Sequence, residues 1–327
     1  MSTNKQKILV TGATGFLGTN ILQAFQGVEN IEVIAACRDK TKLAEFFIGE
    51  IREGDLRDSS YLKTMLKDID VVCHAGTWAA MWSHKQLEKQ NFYLPTKQLI
   101  ETAINAGVKR FLLANTAVIA NKAEARQPID DFSSKAKTGF WPHLDYLVDI
   151  DNFMQTNANR GMQMVSMRLG HFIGKGNKLG LVPVLVPRLK TYLVPWLSKG
   201  HSRLPLITDT DSGKSFVKAS LANSLNNYES FNICGSSFPT TKEVIEHIHQ
   251  QTGLPKPLFS VPYALGYPFA WLMEKLYPLL PGKAPFLTRS IVHLAEDWHC
   301  DTRYANEKLG YLATKDWQDA MNEALQE

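Results

Sequence analysis

Three glycines near the start of the chain have the spacing of a loop that holds phosphate groups. Gly12, Gly15 and Gly18 lie in the segment TGATGFLG at residues 11–18. The first glycine permits a tight turn, the second lets the backbone approach a pyrophosphate, and the third lets a helix pack closely on a strand. The first turn of that helix offers free N–H groups and a partial positive charge to phosphate oxygens. The spacing therefore predicts a dinucleotide-binding site.

The residue that stands 20 positions beyond Gly18 predicts which dinucleotide binds. NAD-specific domains usually carry a carboxylate there, which accepts a hydrogen bond from the ribose 2′-hydroxyl. This chain has Arg38 at that position, with Lys40 and Lys42 nearby. A guanidinium suits the 2′-phosphate of NADP because it forms charge-assisted hydrogen bonds. Asp39 follows directly and keeps NAD as an alternative, but the pattern favours NADP.

Two more polar residues follow apolar segments. Asp55 comes just after the segment 48–53, where its carboxylate can accept a hydrogen bond from an adenine amino group or serve to cap the next helix. His74 stands at the end of the segment 69–73. A histidine in such a place is more often packed in the core than catalytic.

Alternating apolar and helical segments must position these residues. The crossovers are long enough for the helices that a parallel sheet requires. The pattern predicts an α/β fold, a doubly wound parallel sheet of the Rossmann type, with a smaller and mostly helical C-terminal substrate region. Strands are predicted at 7–11, 31–36, 48–53, 69–75, 108–114, 162–168 and 230–234, and helices at about 40–47, 84–106, 145–159 and 241–252.

Composition excludes several classes of function. A net charge of +4 over 327 residues, with scattered Lys and Arg, leaves no nucleic-acid footprint. The apolar stretch 261–281 contains four prolines and an adjacent Glu-Lys pair, so no integral membrane segment is expected. Residues 1–6 are polar and no signal peptide is apparent, which predicts a cytoplasmic protein. The cysteines have no metal-site or disulfide spacing and are expected as reduced core thiols: Cys37, Cys73, Cys234 and Cys300.

Taken in chain order, the motifs resemble those of the extended short-chain dehydrogenases/reductases, the group that includes NAD-dependent epimerases and dehydratases. The tail at 287–311 is similar to the branch that holds 3β-hydroxysteroid dehydrogenases and dihydroflavonol reductases. The resemblance covers nearly the whole chain and implies a Rossmann fold with an NAD(P) cofactor. It rests on TGATGFLG at 11–18, GDLRD at 54–58, HAG at 74–76, NFYLPT at 91–96, VKRFLLANTA at 108–117 and RLGHFIG at 168–174.

The resemblance also implies which residues contact the cofactor. Besides the three glycines and Arg38, they are the residues at matching motif positions: Thr14, Phe16, Leu17, Asp55, Leu56, Ala75, Gly76, Thr77, Asn91, Asn115, Gly170 and His171.

The family's chemistry uses a Ser or Thr hydroxyl, a Tyr that transfers a proton, and a Lys four residues after the Tyr. The resemblance places the hydroxyl at Thr116 and the tyrosine at Tyr146, but Ile150 stands where the lysine belongs. Because the free pKa of tyrosine is about 10, a tyrosine base needs a nearby cation. Asp149 and Asp151 would instead add negative charge near this ring.

Three functions therefore stay open. The first is an NADP-dependent reductase of an apolar or lipid-like ketone, in which Tyr146 starts protonated and acts as the acid. The second is a catalytically degenerate protein that senses NAD(P) or binds a partner. The third is a sugar-nucleotide epimerase or dehydratase, for which Arg188, Lys190 and Arg203 are too scattered to form a diphosphate clamp. Apolar cavity walls would favour the ketone, and a basic clamp would favour the nucleotide.

The expected organisation has two parts, each made of two stretches of chain. Residues 1–172 and 214–235 form the dinucleotide-binding domain, and residues 173–213 and 236–327 form the substrate-binding region. Two long helices at one edge of the sheet commonly build a dimer in this family, so a homodimer is expected.

Overall fold

A seven-stranded parallel sheet positions the site. The structure, a computed structural model, describes residues 5–124, 127–277, 285 and 287–327. In chain order the strands of the described residues are β1 (Gln6–Thr11), β2 (Ile31–Cys37), β3 (Glu50–Glu53), β4 (Val71–His74), β5 (Arg110–Thr116), β6 (Gln163–Leu169), β7 (His171–Ile173), β8 (Trp196–Leu197), β9 (Leu206–Thr208), β10 (Tyr228–Ile233) and β11 (Ser260–Val261). The order in the main sheet is β3-β2-β1-β4-β5-β6-β10, which reverses between β1 and β4. Doubly wound sheets bind ligands at such a reversal.

The central strands form where the sequence is rich in apolar residues. Every residue of β4 is buried, and β5 and β6 are buried along most of their length, because helices cover both faces of a doubly wound parallel sheet. The predicted doubly wound α/β fold is therefore confirmed. β3 lies at the sheet edge, is largely exposed and spans only four residues.

The helices connect these strands and cover the sheet. A π-helical turn over Lys89–Tyr93 joins the helices Lys85–Glu88 and Leu94–Asn105, so the long helix predicted at 84–106 is interrupted once. The helices of the described residues are α1 (Phe16–Ala24), α2 (Ser59–Met65), α3 (Lys85–Glu88), α4 (Leu94–Asn105), α5 (Pro142–Asn157), α6 (Leu181–Leu189), α7 (Asp209–Leu221), α8 (Thr241–Thr252), α9 (Tyr263–Leu276), α10 (Arg289–Leu294), α11 (Arg303–Leu309) and α12 (Trp317–Leu325).

The helix predicted at about 40–47 is wrong. Only one 3-10 turn forms there, over Lys40–Lys42, and Leu43 leaves it in an extended conformation. Leu43, Phe46 and Phe47 then pack against the apolar core on one face of the sheet. Tertiary burial of these side chains overrides the local helical pattern.

The C-terminal part has its own apolar cluster. β7 pairs with β9, and β8 pairs with β11, outside the main sheet. Side chains of α6, α8 and α12 pack together there, with Val182, Val244 and Met321 buried at the centre. α7, by contrast, packs on α1 of the dinucleotide-binding part.

Helix α9 covers most of the apolar stretch predicted at 261–281, and residues 278–281 lie outside the described residues. In the part of the chain that the structure describes, no helix is both long and apolar enough to cross a membrane. Several large apolar side chains of α9 are exposed, including Leu265, Phe269 and Trp271.

The four cysteines are buried free thiols. Burial raises the pKa of Cys73 to about 12, which keeps this thiol protonated and unreactive. Across the described ranges, no group of three or more His, Cys, Asp or Glu side chains is placed to hold a metal ion.

Candidate functional site

A cavity of about 660 Å³ lies over the carboxyl ends of the strands, at the reversal between β1 and β4. One end is lined by the glycine loop between β1 and α1, and the other by α6, α8 and α10. The ends of β2, β4 and β5 contribute the floor between them. The sequence elements predicted to hold a dinucleotide thus open into the same space as the C-terminal region.

The glycine loop is a cradle that side chains would fill. Gly12 has a positive φ of 66°, and a Cβ there would lie 2.6 Å from the Gly76 backbone. A Cβ at Gly18 would lie 2.1 Å from the Gly12 oxygen, which shows how closely α1 approaches β1. Gly15 caps α1 without a side-chain hydrogen bond, so this helix N-terminus is left for a ligand. These features fit the pyrophosphate of a dinucleotide.

Arg38 and Asp39 follow β2 and differ in what they offer. Arg38 is exposed and lines the cavity, and it makes no ion pair with another residue that the structure describes. The Asp39 carboxylate accepts hydrogen bonds from the Thr41 hydroxyl at 2.6 Å and the Thr41 N–H at 3.1 Å, and it pairs with Lys42 at 3.2 Å. The Thr41 hydroxyl, followed by Lys42, lowers the pKa of Asp39. The Asp39 carboxylate is therefore already bound by residues of its own turn.

Asp55 lines the cavity beyond β3 in a chain of polar contacts. Its carboxylate accepts from the Arg57 guanidinium at 2.6 Å, and Arg57 also donates to the Asn91 side-chain oxygen at 3.1 Å. The hydrogen bond from Arg57 lowers the pKa of Asp55. Asp58, not Asp55, caps α2, so the capping role does not occupy the Asp55 side chain.

His74 is packed, as its position in the sequence indicated. Its ring lies 2.7 Å from the Thr11 hydroxyl through Nδ1 and 3.0 Å from the Thr96 hydroxyl through Nε2. Burial lowers its pKa to about 4, so the ring is neutral at neutral pH and holds β1, β4 and α4 together.

The buried ring of His74 predicts a loss of stability in acid. Because the folded state holds the pKa near 4 and the unfolded value is about 6.5, unfolding takes up a proton between these values. We expect about 2 kcal/mol less unfolding free energy at pH 5 than at pH 7 from this group. Urea unfolding of wild type and His74→Gln at both pH values measures it. An equal pH difference in both proteins contradicts the prediction.

Most of the predicted contact residues lie in the cavity wall. Among the residues that the structure describes, Gly18 and Tyr146 are the two predicted site residues outside that wall; Gly18 packs behind the loop. The predicted residues that line the cavity are Gly12, Thr14, Gly15, Phe16, Leu17, Arg38, Asp55, Leu56, Ala75, Gly76, Thr77, Asn91, Asn115, Thr116, Gly170 and His171.

On α5, different residues line the cavity from the ones predicted. His143 and Leu147, four residues apart, line the wall. Tyr146 stacks on Tyr93 with ring centroids 4.7 Å apart, and Ile150 is fully buried in the core. Residues three or four apart lie on the same side of a helix, so Tyr146 lies beside His143 on α5 but packs on Tyr93 instead of lining the wall. The predicted role of Tyr146 gains no support from this position.

The surroundings of Tyr146 disfavour its ionised form. Burial first, and then Tyr93 and Asp149, raise its pKa. Asp149 pairs with Lys137 at 2.6 Å. Asp151 faces away, where it accepts from the Tyr228 hydroxyl at 3.0 Å.

The hydroxyl of Thr116 lies at the end of β5, in the cavity wall. It accepts a hydrogen bond from the Val118 N–H at 3.5 Å, which leaves its own proton available to a ligand. The neighbouring Asn115 side chain donates to Ser166 at 3.0 Å and accepts from the Thr116 N–H at 2.8 Å. The end of β5 is thereby held in place.

From the sequence, Trp141 and His143 are expected to lie near enough to Tyr146 to reach a substrate; both line the cavity, and His143 brings a carboxylate with it. Its Nδ1 lies 3.2 Å from an oxygen of Glu88, a fully buried residue at the end of α3. Pro142 begins α5 and places His143 in its first turn.

The end of the cavity away from the glycine loop is mainly apolar. Arg188 also lines it and donates to the Val184 carbonyl. Arg203 lies elsewhere and pairs with Asp297 at 2.7 Å, and Lys190 is exposed outside the wall. The apolar lining consists of Leu181, Val184, Leu185, Val194, Leu204, Val244, Ile245, Leu287, Ile291 and Leu294.

Comparison with known proteins identifies the family. The model of the NAD dependent epimerase/dehydratase family matches residues 8–234. The chain therefore belongs to this family, and the predicted relationship to extended short-chain dehydrogenases/reductases is confirmed.

Relatives of this chain at about 22% identity are named for different activities. A 2-alkyl-3-oxoalkanoate reductase of Shewanella oneidensis is 22% identical over 95% of this chain and 84% of its own length. A UDP-glucose 4-epimerase of Vibrio cholerae is 22% identical over 98% and 95%. The structure of a UDP-glucuronic acid 4-epimerase from Bacillus cereus, in complex with UDP-glucuronic acid and NAD, has a TM-score of 0.74 at 17% identity, with 98% of each chain covered. At that identity, the structural likeness shows the fold alone.

Proposed function

We propose that the chain is an NADP-dependent reductase that converts the ketone of an apolar, lipid-like substrate to an alcohol. The observation that carries the proposal is the continuous cavity, which joins the glycine cradle to an apolar chamber. A hydride cofactor held at one end would place its reactive ring between the two parts. The chamber would bind an apolar chain through burial of its surface.

The residues after β2 support NADP over NAD. Arg38 is exposed at the cavity, whereas Asp39 is held by Thr41 and Lys42. A guanidinium binds a phosphate through charge-assisted hydrogen bonds. A carboxylate already used in its own turn is a poor acceptor for the 2′-hydroxyl of NAD.

The chamber favours a ketone over a sugar nucleotide. Its wall is built mainly from Leu, Ile and Val side chains, and the guanidinium of Arg188 already donates to a carbonyl within α6. The reductase relative from Shewanella oneidensis is named for an alkyl-substituted oxoalkanoate, which is a substrate of this chemical kind. In the proposed complex, the Thr116 hydroxyl donates a hydrogen bond to the ketone oxygen.

Cofactor titration with Arg38→Ala tests the proposal. We expect NADPH to bind about 10- to 100-fold more weakly to this variant, because charge-assisted hydrogen bonds to the 2′-phosphate are lost, and NADH affinity to change little. Arg160→Ala is the matched control, because Arg160 is also an exposed arginine but pairs with Glu101 at 2.8 Å and does not line the cavity. Equal losses for NADPH and NADH would place Arg38 outside the phosphate site.

A ketone panel then tests the reaction. NADPH oxidation is followed with β-keto acyl compounds and long-chain ketones of increasing length, and turnover should rise with chain length. Binding of NADPH without turnover of any ketone would favour the degenerate, cofactor-sensing alternative. Epimerisation of a UDP-sugar would favour the sugar-nucleotide alternative.

We also propose that the chain forms a homodimer through α4 and α5. These helices pack side by side on one face of the sheet. Sedimentation that stays at monomer mass across a wide concentration range would contradict this.

A further inference from the structure

We propose that His143, supported by Glu88, is the proton-transfer group of this cavity. This inference rests on the proposed reductase function and supplies the acid that the sequence assigned to Tyr146. It starts from the face of α5 that lines the cavity, where His143 stands and Leu147 follows four residues later. An imidazole and an apolar side chain thus occupy the spacing in which the family carries a tyrosine and a lysine.

An imidazole makes a lysine unnecessary. Tyrosine needs a nearby cation because its proton is held too tightly at neutral pH. Imidazole by itself gains and loses a proton between pH 5 and 8. An apolar Leu147 on the same face is therefore compatible with acid–base chemistry at His143, whereas it would leave a tyrosine without activation.

Glu88 is placed to support a charged ring. Its side chain is fully buried, and one oxygen accepts from the Ala80 N–H at 2.7 Å while the other faces the His143 Nδ1 at 3.2 Å. A buried carboxylate is costly unless it is paired. Of the described residues, His143 is the one that forms an ion pair with it. The contact with Glu88 holds the His143 ring in one orientation.

The orientation leaves Nε2 for a ligand. Since Nδ1 points to Glu88, Nε2 is the ring nitrogen away from the carboxylate, and no residue within the described ranges hydrogen-bonds to it. The Phe92 ring lies 5.0 Å from the imidazole, centroid to centroid, and holds it from one side. Phe92 belongs to the π-helical turn Lys89–Tyr93, an irregularity that often marks functional sites.

In the proposed step, a hydride is added to the carbonyl carbon and a proton to the carbonyl oxygen. The hydride that reduces the carbonyl carbon comes from bound NADPH, which is oxidised to NADP⁺. The C=O π electrons move to the oxygen, which takes the Nε2 proton of the His143 imidazolium. The ring becomes neutral with its remaining proton on Nδ1, shared with Glu88. A proton from water restores the imidazolium before the next turnover.

Two measurements test the pair, and the first needs no activity. In protein that is labelled with ¹⁵N-histidine and free of cofactor, two-bond ¹H–¹⁵N correlation spectra identify the tautomer of each neutral ring. Comparison with the His143→Asn variant assigns the signal of His143. We expect the Nδ1–H form in wild type, a shift of the signal on addition of NADP⁺, and loss of the tautomer preference in Glu88→Gln. An Nε2–H tautomer in wild type, or a signal that NADP⁺ leaves unmoved, overturns the proposal.

The second measurement is turnover of the best ketone. Removing a general acid typically costs 10²- to 10⁴-fold, so we expect kcat to fall at least about 100-fold in His143→Asn, with NADPH affinity kept within about threefold. His247→Asn is the matched control, because that histidine pairs with Asn322 away from the cavity. A kcat retained in His143→Asn but lost in Tyr146→Phe overturns the proposal.

Different results would contradict the reductase function and the role of His143. The reductase function is contradicted if wild type binds no NADPH or turns over no ketone. The proposed role of His143 is contradicted if the His143→Asn variant turns over normally while wild type is active, or if the wild-type ring has the Nε2–H tautomer in a protein that binds NADP⁺. Thermal unfolding of each variant shows whether Glu88→Gln still folds, and Glu88→Asp restores activity in part if the carboxylate is what matters.

Discussion

Gly18→Ala is expected to lower the free energy of unfolding by roughly 3 kcal/mol and to abolish dinucleotide binding. The added Cβ would lie 2.1 Å from the Gly12 carbonyl oxygen and 2.8 Å from the Ala13 backbone. Both contacts are with backbone atoms, so no side-chain rotation relieves them. α1 has to move away from β1, and the phosphate-binding N-terminus moves with it. Urea unfolding and NADPH titration measure the two effects.

Gly266→Ala is the matched control for this substitution. Gly266 is also buried within a helix, but a Cβ there would lie 3.4 Å from a methyl group of Leu197 and 3.6 Å from one of Val292, which are ordinary contacts. Both substitutions bring the same intrinsic gain of about 1 kcal/mol in helix propensity. We expect Gly266→Ala to be neutral or stabilising. If both variants lose the same stability, the tight approach of α1 to β1 is not the cause.

Asp151→Ala is expected to cost about 3 to 5 kcal/mol of unfolding free energy. Asp151 is fully buried on α5 and pairs with Lys135 at 2.9 Å and with Arg168 at 4.0 Å. Its other contact is the hydroxyl of Tyr228. Removing the carboxylate leaves two largely buried cations without their counter-charge, which is far more costly than losing an exposed pair. Chemical denaturation at pH 7 measures it.

Asp149→Ala provides the comparison on the same helix. Asp149 pairs with Lys137 at 2.6 Å, but both side chains are partly exposed, and exposed pairs contribute about 1 kcal/mol or less. We expect a loss below about 1 kcal/mol for Asp149→Ala. A loss as large as that of Asp151→Ala would show that removing any carboxylate from α5 is enough to destabilise it.

Apolar strands and the glycine loop are the features that could be predicted reliably. A strand buried on both faces is rich in apolar residues, and this is why β1, β4 and β6 lie close to their predicted positions. The glycine spacing is similarly constrained, because the backbones around Gly12 and Gly18 leave no room for a Cβ. In both cases one local requirement determines the residue type.

The residues of α5 that line the cavity could not be predicted in the same way. The family motif depends on a tyrosine and a lysine four residues apart, and once the lysine is missing a single tyrosine no longer identifies which side chains of this helix face the cavity. Tyr146 is the tyrosine nearest to the expected position, but its ring packs on Tyr93. The Glu88–His143 pair joins residues 55 positions apart, which no local pattern reveals. The helix predicted at about 40–47 was wrong for a related reason. The path of the chain after the 3-10 turn at Lys40–Lys42 is determined by packing against residues that are distant in the sequence.

The placement of β10 has a consequence for how the chain is made. β10 completes the main sheet beside β6, and its Asn232 side chain donates to the Ile129 carbonyl at 3.0 Å. Between these strands the chain leaves the sheet to build β7, α6 and β9. During synthesis, β6 therefore remains an unpaired edge of the sheet until residue 233 has emerged from the ribosome. Pairing strands so distant in sequence is slow, and a nascent chain stalled before β10 exposes an apolar edge that invites aggregation.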